Sequence, residues 1–154
     1  MSSLTRPIWL LIDRLRQWQD ARTLDAAHAL GRRGEDIAHR YLEKQGYIVV
    51  ARNWRSRRGL NEVDLVAWQK GEPARLVLAE VKSRRSEEFG APERNIGAEK
   101  MRALRAAARE ICHKEFVPEE AVRFDTISIV FEPELKIDHQ EDAFSWGRGG
   151  AWRN

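Results

Sequence analysis

Apolar and polar positions alternate most clearly between residues 61 and 82. The chain reads Asn-Glu-Val-Asp-Leu-Val-Ala-Trp there, then a polar turn, then Arg-Leu-Val-Leu-Ala-Glu-Val-Lys. Both halves are rich in Val and Leu and are joined by Gln69, Lys70, Gly71, Glu72 and Pro73, which predicts two strands and a tight connection. Successive side chains on a strand point to opposite faces. Glu62, Asp64 and Val66 therefore share one face of the first strand, and Leu76, Leu78, Glu80 and Lys82 share one face of the second. A hairpin centred on Glu72 sets Asp64 opposite Glu80, projecting to the same side of the sheet.

The rest of the chain supplies helices and further strands. Residues 7–19 carry Ile8, Leu11, Ile12 and Leu15 at helical spacing, with Thr5 and Pro7 suited to its start. A second helix is expected over 24–45, between Thr23 as cap and Gly46 as stop. Ala38, Tyr41 and Leu42 form its inner stripe, with Ile37 at the edge. Gly31 and Gly34 mark either a close backbone approach or a break. Residues 47–55 form the first strand, and 96–114 a third helix with Met101, Leu104, Ala108 and Ile111 turned inward. Lys100, Arg102, Arg105 and Arg109 are assigned to its outer surface. Strands follow over 121–131, which includes Asp125, and 135–139. The polar loop 83–95 is a candidate for substrate contact. The glycines after Phe144 predict a mobile tail.

Charge is unevenly spread. The total is +3, from 27 Lys and Arg against 24 Asp and Glu. Up to Lys114 there are 23 basic and 15 acidic residues; beyond it there are 4 and 9. A basic body suits a polyanion, and arginine is the better phosphate fork. Solubilising helix surfaces is the plainer use of the same residues. The single cysteine, Cys112, excludes an internal disulfide and fits a reducing cytoplasm. The four histidines show no zinc spacing. The apolar run at 8–12 is too short to span a bilayer. Its helix is expected to pack on the body or on a second copy rather than on a membrane.

The acidic hairpin changes this picture most. A carboxylate on a face shared with Val66, Leu76 and Leu78 is half in the core, where an unpaired charge is costly. Two carboxylates at strand spacing also repel. A hard divalent cation answers both problems, since Mg2+ takes one or two carboxylates plus waters and phosphate oxygens. Lys82 then offsets charge at a reacting phosphate or reaches its attacking water. A Glu80–Lys82 ion pair on a solvated face is the alternative. Arg55, Arg57 and Arg58 precede the hairpin directly, as expected if the substrate is a phosphate backbone. Trp54 can stack on a base or pack in the core. Glu35, read alone, is a first-turn acid favoured by the helix dipole.

Many short motifs occur in an order that resembles the YraN family. They are Gly34-Glu35-Asp36-Ile37-Ala38, Tyr41-Leu42, Gly46-Tyr47, Arg52-Asn53-Trp54-Arg55, Glu62-Val63-Asp64-Leu65-Val66, Glu80-Val81-Lys82-Ser83-Arg84, Phe89-Gly90, Lys100, Arg123-Phe124-Asp125 and Ala143-Phe144. The likeness covers roughly 29–144. That family is similar to the PD-(D/E)XK nucleases, and among them to Holliday junction resolvases. The resemblance implies an α/β, restriction-endonuclease-like core: a mixed central sheet of about five strands flanked by helices. It also places Glu35, Asp64, Glu80 and Lys82 at the positions of a metal site, giving Glu35 a second role as a third carboxylate. Two positions depart from the pattern: Val63 stands where a proline is usual, and Asn61 where the family has glycine.

The combined expectation is an N-terminal amphipathic helix over 1–22, a nuclease-like domain over 23–144 and a flexible tail over 145–154. The chain is expected to cleave DNA phosphodiester bonds, on branched or damaged DNA, with Mg2+ or Mn2+ held by Asp64, Glu80 and Glu35. Arg55, Arg57, Arg58, Arg84 and Lys100 would hold the backbone. DNA is preferred over RNA, a homodimer suits cleavage of two strands, and the setting is cytoplasmic. The alternative is a nucleic-acid-binding adaptor that uses the same arginines and needs no metal.

Overall fold

The computed structural model describes residues 26–88 and 96–147. The expected helix over 7–19, the Thr23 cap, residues 89–95 of the polar loop and the tail from 148 lie outside the described residues. The elements are α1 (Ala26–Lys44), β1 (Tyr47–Arg55), β2 (Glu62–Gln69), β3 (Arg75–Arg84), α2 (Ala98–Glu115), a 3-10 turn (Glu119–Ala121), β4 (Val122–Val130) and β5 (Lys136–Phe144). One five-stranded sheet runs β1-β2-β3-β4-β5. All neighbours are antiparallel except β3 and β4. Parallel strands need a long crossover, and α2 supplies it between them.

Each helix covers one face, and strand alternation sorts the side chains between them. Leu65, Ala67, Val77, Ala79, Ile127 and Ile129 pack with Ala38 and Leu42 of α1. Val66, Leu76, Leu78 and Phe124 pack with Leu104, Ala107, Ala108 and Ile111 of α2. Coverage on both sides explains why β3 and β4 read as near-continuous apolar runs. The fold is the mixed α/β sheet that the sequence predicts.

Helix α1 is unbroken, which decides between the two readings of its glycines. A Cβ on Gly34 would lie 1.6 Å from Ser83 Oγ, so this glycine lets α1 approach β3 closely; Gly31 has nothing within 4 Å. Gly46, at φ 87°, ends the helix in a conformation that side chains disfavour. Strand β5 extends to Phe144, beyond the expected stop at 139. Trp146, in the segment expected as a tail, docks on Phe124 with ring centroids 5.1 Å apart. Its indole N–H donates to the Glu119 carbonyl at 3.0 Å. Trp54 is partly buried against the α2-side core, the packing role that competed with base stacking. No helix among the described residues is long and apolar enough to cross a membrane.

Candidate metal centre

The β2–β3 ladder runs from Gln69↔Arg75 to Leu65↔Ala79. The turn is therefore centred on Glu72, and one step past the last paired residues lie Asp64 and Glu80. At that point a side chain replaces the backbone ladder: Val81 N–H donates to Asp64 Oδ2 at 2.7 Å. This bond fixes the carboxylate between the strands, and the Asp64 and Glu80 carboxyls are near enough to hydrogen-bond each other.

The ammonium on this pair belongs to Lys100. Its Nζ lies 2.8 Å from Glu80 Oε2, with the lysine side chain 33% and the glutamate side chain 16% exposed. This corrects the assignment of Lys100 to the outer surface of its helix. Lys100 is four residues before buried Leu104, so helical spacing puts it at the head of the inward stripe. The ammonium is thus the partner of a Glu80 oxygen that is otherwise buried.

Burial pushes both carboxyls toward the protonated form. For Glu80, burial and then the Asp64 charge raise the pKa to about 7. Asp64 is raised by burial against the opposing pull of the Val81 N–H and the Lys100 charge. Burial works against the Lys100 charge, but the two acids outweigh it and hold its pKa above the ordinary lysine value.

Glu35 follows the Gly34 contact on α1. Asn53 Nδ2 donates to Glu35 Oε2 at 3.0 Å. Asn53 adopts φ 48°, a left-handed conformation that asparagine tolerates. Arg52 lies 2.5 Å from Asp36 Oδ1 and 4.0 Å from Glu35 Oε2. Burial raises the Glu35 pKa, Asn53 lowers it, and the Asp64 charge raises it further, so Glu35 feels the Asp64 charge. Among the described residues, however, no three His, Cys, Asp or Glu side chains gather as a metal-holding group. The structure brings together Asp64, Glu80 and Lys100; the contacts of Glu35 are with Asn53 and Arg52 of β1. Lys82, on the Glu80 face of β3, is half-buried and level with Ser128 of β4.

The basic loop before the hairpin is tied down at its base. Ser56 N–H donates to the Asn61 carbonyl at 3.0 Å, and Asn61 N–H to Ser56 Oγ at 3.1 Å. The left-handed residue here is Gly59, at φ 67°; Asn61 does not need that conformation. Arg57 N–H donates to Glu110 Oε1 at 3.0 Å, leaving the Arg57 and Arg58 residues exposed. Arg55 lies 3.5 Å from Glu62 on the surface. Arg84 is half-buried at the end of β3. Two other arginines assigned to the outer face of α2 serve the fold. Arg105 donates to the Ser145 carbonyl, at 2.6 and 2.9 Å, and Arg109 lies over the Trp146 ring at 5.5 Å.

A second charged cluster went unread in the sequence. Asp125 is fully buried in β4. Arg123 grips it with two bonds of 2.8 Å, His139 Nε2 lies 2.8 Å from Oδ2, and Asp142 N–H donates at 3.1 Å. Arg123 also reaches Tyr47 at 2.9 Å, Gln69 at 2.7 Å and Glu141 at 3.1 Å. Burial raises the Asp125 pKa, but His139 and Arg123 outweigh it and leave it below the usual aspartate value. The available signal was Arg123 two residues before Asp125, hence on the same strand face, in an otherwise apolar run. Cys112 is a buried thiol whose pKa burial pushes up to about 11, which makes it inert.

The model of UPF0102, described as an uncharacterised protein family, matches residues 34–129. A UPF0102 protein of Solibacter usitatus is 48% identical over 114 residues, covering 74% of this chain and 84% of its own. One from Rhodococcus opacus is 42% identical over 118 residues, covering 75% and 96%. One from Bacteroides fragilis is 38% identical over 116 residues, covering 75% and 91%.

Proposed function

The chain belongs to UPF0102, the YraN family, whose description assigns no activity, and we propose from the site itself that it is a metal-dependent phosphodiesterase acting on DNA. One observation carries this reading. Asp64 and Glu80 adjoin, half-buried, with a single ammonium on the pair, and burial pushes both carboxyls toward protonation. A pair of hard oxygen donors, completed by water and phosphate oxygens, suits Mg2+ or Mn2+. When bound, such an ion supplies an activated water and an electrophile for the phosphate.

The chain's own residues do the rest. The Val81 N–H locks the Asp64 carboxylate in one orientation. Glu35, oriented by Asn53, would serve as an outer acid of the site, holding a water rather than completing a three-carboxylate cage. Lys82 follows Glu80 on the same strand face and offsets charge that builds on the phosphate. Arg55, Arg57, Arg58 and Arg84 take neighbouring phosphates, and the Ser56–Asn61 bonds hold their loop in place.

Cleavage of linear, nicked and branched DNA in Mg2+ or Mn2+ tests the reading. Activity should appear with wild type and vanish in Asp64→Ala and Glu80→Ala. Equal cleavage by wild type and Asp64→Ala would assign the activity elsewhere.

A second reading, a nucleic-acid-binding adaptor that does not cut, is favoured by the ammonium already on Glu80. It predicts DNA binding that is indifferent to metal and to Asp64→Ala.

A further inference from the structure

Lys100 sits in the first turn of α2, where the helix dipole opposes a cation. It is held there by Glu80 and Asp64, whose charges outweigh its burial. The ammonium lies 2.8 Å from Glu80 Oε2, so it occupies an oxygen that a cation at the pair would need. A third of its side chain is exposed, on a flexible stem that leaves a route out. One ammonium also undercompensates two adjoining carboxylates, whereas a divalent ion matches them.

We propose that Lys100 is a built-in counter-ion: it holds Glu80 in the metal-free protein, yields that oxygen to the incoming cation, and then pairs with a substrate phosphate. This rests on the metal-site reading above. Cation and ammonium compete for one oxygen, and the helix dipole and the bound ion both drive the displaced lysine outward. Its displacement couples metal binding to phosphate binding through one side chain.

Calorimetric titration with Mn2+ tests the competition. Lys100→Gln should bind Mn2+ about five- to tenfold more tightly than wild type, the scale of one lost half-buried ion pair. Glu80→Gln should not bind it. Equal or weaker binding by Lys100→Gln, with binding still lost in Glu80→Gln, overturns the counter-ion role and leaves the metal site standing. No binding by wild type or Lys100→Gln overturns both. Lys100→Arg, which keeps the charge, covers a failure of the neutral variant to fold: it should bind no more tightly than wild type, and tighter binding counts against the proposal.

The salt dependence of duplex DNA binding tests the transfer to phosphate. In Ca2+ the slope for wild type should exceed that of Lys100→Gln by about 0.9, one phosphate contact, and the two should coincide in chelator. Slopes that match in both conditions, or no DNA binding by either protein, overturn the transfer.

Discussion

Asp64 in β2 and Asp125 in β4 are the same residue in similar places: strand positions of one sheet, walled by apolar side chains. Their proton affinities move in opposite directions. Asp125 is saturated, with two guanidinium bonds, an imidazole and a backbone N–H. Asp64 has one backbone N–H, a second carboxylate as neighbour, and an ammonium that sits on that neighbour. Burial is common to both, so partner supply decides the difference. A saturated buried charge holds strands together. An undersupplied pair raises the energy of the folded protein until something else fills it, as expected of a binding site.

The largest effect expected from this contrast is on stability. Asp125→Ala strands Arg123 and His139 and should cost about 3–5 kcal/mol in urea unfolding of the metal-free protein. Asp64→Asn removes one of two repelling charges and should be neutral or slightly stabilising. Comparable losses in the two variants would erase the distinction.

Gly34→Ala drives a methyl into Ser83, and overpacking of this kind costs about 1–3 kcal/mol. Because Glu35 follows Gly34 on the helix, the variant should also weaken metal binding if Glu35 is the site's outer acid. Ser83→Gly in the same chain removes the colliding atoms and should restore most of the stability. Failure to rescue would mean that the helix is held away by something else.

Glu80 sharpens the comparison through pH. Its folded pKa lies above the ordinary 4.5, near 7, so the folded state holds a proton that the unfolded chain releases between those values. This stability is fully present below 4.5 and is lost as pH rises toward about 7. Glu80→Gln should therefore match wild type in acid and exceed it by about 1–3 kcal/mol above pH ~7 without metal. Asp125, with its lowered value, contributes in the opposite sense: its stabilisation is present above 3.8 and is lost on further acidification. A thermal-melt series in which both variants differ from wild type by pH-independent amounts would contradict these assignments.

The smallest effect is a control outside both regions. Phe116 ends α2 at φ 55° and is 92% exposed. Phe116→Gly relieves the left-handed strain and should stabilise by about 0.5–1 kcal/mol without altering metal binding.

Local pattern made most of the fold legible. The turn at 69–73 fixed the centre of the hairpin, and the ladder then ends one step short of Asp64 and Glu80. Strand β1 was readable at both ends because Gly46 precedes it and its apolar run is short. Strand β5 was not, because an edge strand with the sequence Lys-Ile-Asp-His-Gln-Glu-Asp-Ala-Phe has a weak apolar face. Lys100 was misread because its basic neighbours suggested a solvated surface, although its four-residue spacing from Leu104 placed it inward. Of the Asp125 cluster only the local Arg123 pairing was within reach: Tyr47 and Arg123 lie 76 residues apart, and only the folded sheet brings them together.

Anomalous diffraction from crystals soaked in millimolar Mn2+ tests the cation site most directly. A peak bound by the carboxylates of both Asp64 and Glu80, with Lys100 moved off Glu80, is the expected result. No peak at the pair, with the Lys100 ammonium still on Glu80, would contradict it.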